Sequence, residues 1–201
     1  MRIVVTNHVT LDGVMQAPGR PDEDPRDGFE HGGWEPPYGD EVMGSKMAEG
    51  MARTGGLLLG RRTYLDFAGF WPKQRDNPFT PVLDRAQKYV ASRTLTEPLP
   101  WANSTLLKGD ATEAVAALKE QPGGDLVVLG SGMLVRSLMR AGLVDEWLLT
   151  IHPLVLGSGR RLFADGGPYA ALELVDATPT TTGVIIATYR PAESTRGGDR
   201  G

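Results

Sequence analysis

The stretch Leu57-Leu58-Leu59-Gly60-Arg61-Arg62-Thr63 reads as a short buried strand, a glycine turn and the first residues of a helix. Free amides at a helix start bind anions, and a glycine there lets a phosphate reach the backbone. Arg61 and Arg62 add guanidinium groups whose fork matches a phosphate monoester. The same two residues also read as solvated arginines at a turn, so the stretch alone leaves both readings open. Two further segments repeat the pattern: Val90-Ala91-Ser92-Arg93-Thr94, and Val128-Leu129-Gly130-Ser131-Gly132-Met133-Leu134. Ser92 and Arg93 fall at a strand C-terminus, where open α/β sheets bind ligands, or they form a polar turn with a helix cap. Gly130, Ser131 and Gly132 lack the third glycine and the following acidic residue of a full dinucleotide fingerprint. Recurrence carries the weight, because three strand ends of one parallel sheet share an edge, and a dinucleotide needs that breadth.

Outward from these turns, strands and helices alternate. Arg2 to Asn7 reads as a buried first strand. Gln16 to Gly39 is rich in proline and glycine. Loops of that length are functional or disordered, and Phe29, Trp34 and Tyr38 supply the apolar anchors of an ordered flap. Asp40 caps a helix whose inner stripe is Met43, Met47 and Met51, read as core packing, and Gly55-Gly56 ends it. Tyr64, Phe67, Ala68 and Trp71 continue a second helical stripe until Pro72. Lys88 to Ser92, Asn103 to Leu107, Leu126 to Leu129 and Trp147 to His152 read as strands. Asp110 with Glu113 forms a capping box between two of them, and Gly142 stops the helix after Gly132. Leu172 to Ala177 and Gly183 to Tyr189 form an antiparallel pair. The alternation predicts a single α/β domain over 1–191, with a largely parallel sheet, helices on both faces and an antiparallel C-terminal edge. Residues 192–201 read as a disordered tail.

The bulk properties narrow the function. The 201 residues suit one compact domain. Apolar residues make up 40% and charged residues 23%, as in an ordinary soluble globule. A net charge of −4 argues against nucleic-acid binding, which needs a basic surface. The absence of cysteine excludes disulfides, thiolate metal ligands and cysteine nucleophiles. No window reaches the roughly 20 apolar residues of a membrane span, and the N-terminus lacks a signal-peptide core, so cytoplasm is the expected compartment. His8, His31 and His152 lack metal-ligand spacing, and His152, before Pro153 at a strand end, reads as structural.

In order, Thr10-Leu11-Asp12-Gly13, Leu59-Gly60-Arg61-Arg62-Thr63-Tyr64, Ala91-Ser92-Arg93-Thr94 and Gly130-Ser131-Gly132 resemble the dihydrofolate reductase superfamily. The branch is that of the reductase domain of the bifunctional riboflavin-biosynthesis deaminase-reductase, marked also by Leu143-Val144-Asp145-Glu146, Pro153-Leu154-Val155-Leu156-Gly157-Ser158-Gly159 and Leu162-Phe163. The resemblance runs from about Met1 to Arg190 and implies a dihydrofolate-reductase-like three-layer sandwich that binds NADPH. It implies that Gly60, Arg61, Arg62 and Thr63 hold the pyrophosphate and adenosine end. Ser92 and Arg93, with Arg61 or Arg62, contact the 2′-phosphate. Gly130, Ser131, Gly132, Met133 and Leu134 wrap the pyrophosphate and nicotinamide ribose, while Asp12 and Gly13 lie beside the nicotinamide. That branch carries arginines around its first helix, and an acidic-proline segment after the threonine of its second. Here Met43 to Met51 holds only Lys46, and Tyr64 to Pro72 replaces the segment, which is similar to stand-alone members.

The resulting expectation is hydride transfer from NADPH to a pterin-like or other small heterocycle, carbonyl or imine. Asp12 is the first candidate proton donor and Asp40 or Glu41 the second; a carboxylate in that role needs its pKa raised by burial. The flap is expected to close the pocket, with Trp34 or Tyr38 stacking on a planar substrate. The rival is an NADPH-binding sensor or interaction module without turnover, and a deazaflavin in place of NADPH stays open. No metal is expected. A homodimer is expected from the resemblance and from the exposed C-terminal sheet edge.

Overall fold

Ile3, Val5 and Val9 of the first strand are buried toward one side and Val4 toward the other. A strand apolar on both faces belongs in the interior of a parallel sheet, and there it lies in the computed structural model, which describes residues 1–163 and 165–192. The order along the eight-stranded sheet is β4-β3-β2-β5-β1-β6-β8-β7. The strands are β1 (Ile3–Thr10), β2 (Thr54–Gly60), β3 (Lys88–Ala91), β4 (Ser104–Leu107), β5 (Asp125–Leu129), β6 (Glu146–His152), β7 (Leu172–Pro179) and β8 (Ile185–Pro191). All pairings from β4 to β6 are parallel; β6 with β8 and β8 with β7 are antiparallel. This is the dihydrofolate-reductase-like arrangement expected from the sequence.

Among the described residues, five α-helices cover the sheet: α1 (Glu41–Arg53), α2 (Arg61–Phe70), α3 (Thr80–Arg85), α4 (Ala111–Lys119) and α5 (Gly132–Arg140). Val115 and Leu118 of α4 pack with Leu134, Val135 and Leu138 of α5 on Ile3, Val5, Leu58, Leu126 and Val128. The opposite face carries Tyr64 of α2 and Leu83 of α3 against Val4, Leu57, Leu59, Val90 and Val127. Met43 of α1 meets Val184 and Ile186 there. Each such buried side chain contributes about 1.5–3 kcal/mol, so the two layers fix the sheet from both sides.

Several local readings change. β1 runs three residues further than the apolar run, because β6 stays in register beside it from Asn7↔Leu149 to Thr10↔His152. Gly55-Gly56 does not end α1 but opens β2: a Cβ on Gly55 would lie 2.7 Å from the Gly124 nitrogen, so the glycine permits the close approach to the segment before β5. The methionine stripe is split, with Met43 2% exposed and Met47 39% exposed over a cavity. Helix α3, six residues with Pro81 in its first turn, has no apolar stripe long enough to announce it. Asp110 caps α4 by accepting from the Thr112 and Glu113 amides. The expected tail lies, from residue 193 onward, outside the described residues. Among those residues no helix is long and apolar enough to cross a membrane.

Lys88 shows how a charge is accommodated in such a core. Its side chain is buried, and Nζ donates to the Asp84, Ala86 and Ala102 carbonyls at 3.1, 2.8 and 2.9 Å. It also lies 4.4 Å from the Trp101 ring centroid. Substituting Lys88→Met strands the Ala86 and Ala102 carbonyls, while the Asp84 carbonyl keeps its bond from Asn103 Nδ2 at 3.0 Å. A loss of about 2–4 kcal/mol in unfolding free energy by chemical denaturation is expected; an unchanged midpoint would show the network to be dispensable.

Candidate active site

The C-terminal ends of β2 and β5 each turn directly into a helix, and hydrogen bonds join the two turns. Gly60, the residue before α2, has no side chain to cap the helix, and Ser131 before α5 makes no capping bond either. Ser131 is left-handed (φ 54°), a conformation costing about 1–2 kcal/mol for a non-glycine residue. Its bonds offset that cost. The Ser131 hydroxyl accepts from the Gly60 amide at 2.9 Å and donates to Thr63 Oγ1 at 3.1 Å, while its own amide donates to Thr63 Oγ1 at 3.2 Å. Asn7 of β1 donates to the Gly130 carbonyl at 3.3 Å. A Cβ on Gly130 would lie 3.2 Å from Thr63 Oγ1, so the turn must approach α2 as glycine. The first-turn amides of α2 and α5 therefore open side by side onto one rim.

The third strand end completes that rim. Ser92 Oγ accepts from the Thr94 and Leu95 amides at 3.2 and 3.0 Å, and Arg61 Nη1 donates to Thr94 Oγ1 at 2.6 Å. Ser92 thus holds the turn, and Arg61 ties it to α2. Among the described residues, Arg61, Arg62 and Arg93 form no ion pair with any carboxylate, as is also true of Arg75, Arg85, Arg136 and Arg140, whereas Arg2, Arg20, Arg26, Arg53, Arg160, Arg161 and Arg190 do. Three guanidinium groups without an ion pair thus cluster on one rim. The Asp110 carboxylate, whose pKa is lowered first by its bond from the Thr112 hydroxyl, is near enough to Arg93 for that charge to lower it further. Two open helix starts and guanidinium forks are the donor set that phosphates need, so the residues fit a phosphorylated cofactor.

The rim opens into a cavity of ≈ 1810 Å³, larger than the roughly 300–1,000 Å³ of a usual small-molecule site and so wide enough for two ligands side by side. Its floor is one face of the sheet: Thr6 and His8 of β1, Leu129 of β5, and Leu148 and Thr150 of β6, which share a side by register. Met47 and Met51 of α1 and Phe67 and Phe70 of α2 form one wall, and the flap, from Gln16 through Arg20 to Glu23 and Glu35, forms the other. Burial pushes the Glu23 and Glu35 carboxyls up, and for Glu35 the charge of Glu23 adds to it.

The residues expected at the site divide into two groups. Gly60, Arg61, Arg62, Thr63, Ser92, Arg93, Gly130, Ser131, Gly132, Met133 and Leu134 all line the cavity. Asp12, Gly13, Trp34, Tyr38, Asp40 and Glu41 do not. The Asp12 carboxylate accepts from Thr10 Oγ1 at 2.6 Å and from the Leu156 and Gly157 amides at 3.2 and 2.9 Å. These bonds, the one from Thr10 foremost, hold its pKa below the usual range, the reverse of what a proton donor requires. Gly13 (φ 79°) turns the same loop. Asp40 caps α1 through the Met43 amide and accepts from Thr181, which also lowers its pKa. Glu41 is the exposed first residue of that helix. Trp34 is 6% exposed, donates to the Gln16 carbonyl at 2.9 Å, and meets His152 edge-on at 5.1 Å; Tyr38 does the same at 5.5 Å. Both rings pack against the buried His152, and neither lines the cavity. Residues the sequence did not assign to the site, His8, Met47, Glu23 and Glu35, line the cavity instead. Only the alternation along β1 could have placed His8 beside Thr6.

His8 Nδ1 lies 3.0 Å from His152 Nε2. Burial pushes the two imidazoles down, to about 3 for His8 and about 4 for His152, with the proximity of His152 adding to the effect on His8. Both titrate near 6.5 when unfolded. Below that pH the unfolded chain binds more protons than the folded one, so this pair makes stability fall as pH drops from 6.5 toward 4. The maximal slope is about 1.4 kcal/mol per pH unit per imidazole. Urea unfolding of wild type and His8→Gln between pH 7 and 4.5 checks this: the variant is expected to have the flatter profile, and parallel profiles would remove His8 from the account.

Together the fold and the rim define a protein of dihydrofolate-reductase-like fold with a cleft at its strand C-termini, bordered by two helix starts and three arginines. The chain belongs to the RibD C-terminal domain family, whose model matches residues 2–186. It is 33% identical over 138 residues to the uncharacterized protein YyaP of Bacillus subtilis, covering 66% of this chain and 72% of that protein. It is 36% identical over 109 residues to YwjB of the same organism, also uncharacterized, covering 53% and 57%. Among solved structures it is similar to a Shewanella sp. PV-4 protein whose name assigns it to riboflavin biosynthesis (TM-score 0.68, 21% identity, 96% of this chain and 100% of that one). A pyrimidine reductase-like protein of Corynebacterium diphtheriae superposes with TM-score 0.63 at 13% identity, over 96% of this chain and 92% of the other. Dihydrofolate reductase of Enterococcus faecalis, complexed with NADP(H) and RAB-propyl, gives 0.61 at 14%, over 96% and 97%. At these identities the structures show a shared fold.

Proposed function

We propose that this protein is a cytoplasmic NADPH-dependent reductase that reduces a small carbonyl, imine or heterocyclic acceptor. The observation that carries the reading is the rim of three strand ends on which Arg61, Arg62 and Arg93 form no ion pair among the described residues, opening onto a cavity large enough for a second ligand. Family membership, and the NADP(H) complex of a protein of the same fold, support it. The amides from Arg61 to Thr63 and from Gly132 to Leu134 would hold the pyrophosphate, and Arg93, with Arg61 or Arg62, the 2′-phosphate. When bound, NADPH supplies a hydride; the chain itself orients both ligands, with the flap as one wall of the cleft. Asp12, Gly13 and Asp40 brace the surrounding loops, while Trp34 and Tyr38 back His152. The substrate lies on the sheet face floored by Thr6 and His8. The rival reading, a sensor that binds NADPH without turnover, differs in that no acceptor consumes the bound cofactor.

Calorimetric titration with NADPH and with NADH tests the cofactor half. Tight NADPH binding, weaker NADH binding, and a roughly 10- to 100-fold loss for NADPH alone in Arg93→Ala are expected, the worth of one charge-assisted contact. Absence of binding by either nucleotide would overturn the reductase reading. The exposed edge strand β7, with Leu174 and Val175 outward, is the surface proposed to pair in a homodimer. Sedimentation velocity is expected to give twice the chain mass, and a monomer at all concentrations would dismiss the pairing.

A further inference from the structure

His152 is fully buried, and four groups surround it: the near-perpendicular rings of Trp34 and Tyr38, the His8 ring, and the end of β6 on which it stands. Its Nε2 meets His8 Nδ1 at 3.0 Å, while its Nδ1 is sealed from solvent and has no hydrogen-bond partner. Two imidazoles in contact share one proton, so two arrangements are open. In the first, His8 donates from Nδ1, and His152 must then carry its proton on the sealed Nδ1 as an orphaned buried donor. In the second, His152 donates from Nε2, its Nδ1 is a bare acceptor, and the proton of His8 sits on Nε2. Orphaned buried N–H groups are the rarer and costlier defect, which selects the second. Among the described residues, His8 Nε2 makes no hydrogen bond, and His8 lines the cavity floor beside Thr6 and Thr150. The contact with His152 thus leaves a neutral imidazole with its N–H unspent at the floor.

Resting on the reductase reading, we propose that His8 is a catalytic residue: fixed as the Nε2–H tautomer by His152, it donates a hydrogen bond to the oxygen or nitrogen of a carbonyl or imine acceptor. The acceptor carbon gains the hydride of the reductant. The C=O or C=N π pair moves onto the heteroatom, and that atom then takes a proton from water in the open cavity. The reductant leaves oxidised by two electrons, and His8 keeps its own proton throughout. A preorganised neutral donor stabilises charge as it develops on the heteroatom without first having to be charged itself. Trp34 and Tyr38 act one step removed, as the aromatic box that holds His152, and so as positioning residues.

The test begins with a readout independent of turnover. Long-range proton–nitrogen NMR of the [¹⁵N]histidine-labelled protein at pH 7, assigned with His8→Gln, is expected to show His8 and His152 both neutral and both protonated on Nε2. A proton on His8 Nδ1, or an imidazolium at either position, overturns the proposal. Lumazine, a planar heterocycle with carbonyl and imine groups, added with NADP⁺, is expected to shift the His8 Nε2 proton downfield; an unmoved proton also overturns it. For any acceptor that the wild type reduces, His8→Leu is expected to lower kcat about 10²- to 10³-fold at unchanged NADPH affinity. His8→Gln, which keeps a donor, should recover part of that loss, and full kcat in His8→Leu contradicts the role. If calorimetry finds no NADPH binding, the reductase reading fails on its own, separately from the tautomer result.

Discussion

Ser131 stands at the start of α5 in a left-handed conformation, and it stays there because its amide and hydroxyl bond to α2 and to the end of β2. The strands that carry these two turns are neighbours, so the sheet brings the helix starts close, but pairing alone does not fix their relative tilt. Hydrogen bonds among Gly60, Thr63 and Ser131, with Asn7 bonding the Gly130 carbonyl, convert two independent turns into one rigid rim. The proposed cofactor site depends on that rim. It orients the free amides of both helices in one direction, it leaves the Thr63 hydroxyl proton unspent, and it sets the entrance of the cavity. Arg61 extends the connection to the third turn through Thr94.

The flap is joined to the site by different means. Gln16 bonds the Asp24 and Arg26 carbonyls through Nε2 and accepts from the Arg160 amide. Val14, Ala17, Phe29 and Trp34 bury against Leu154 and Leu156. Asp12 bonds the amides of Leu156 and Gly157. The loop after β1 and the segment after β6 therefore form one braced wall. Its inner side borders the cavity, and its aromatic residues enclose His152. This makes the glycine- and proline-rich segment an ordered structural element, consistent with the apolar anchors spaced along it.

Much of this was legible in the sequence, for identifiable reasons. Buried strands such as Leu57-Leu58-Leu59 and the glycine turns after them are local signals, so the sheet and its rim could be read directly. The reductase-like fold followed from the order of those signals and from the family resemblance. Side-chain partners that depend on contacts far along the chain were not legible. Asp12 looks like a candidate acid until the amides of Leu156 and Gly157, some 145 residues away, are placed against it. Trp34 and Tyr38 look like stacking platforms until His152 is packed against them. Met47 reads as core until the helix is set over a cavity, and α3 carries no periodic signal at all. His8, inside a strand whose expected end was Asn7, became visible only when the register with β6 was known.

The most direct measurement is amide proton–nitrogen NMR of the protein during titration with NADPH, following Gly60 to Thr63, Ser92 and Arg93, and Gly130 to Leu134 together. If the three turns form one cofactor site, their resonances move in concert along a single saturation curve while those of Asp12, Asp40 and Glu41 move little. If the changes concentrate elsewhere, or the three turns respond with separate affinities, the rim is not a dinucleotide site and the central claim is wrong.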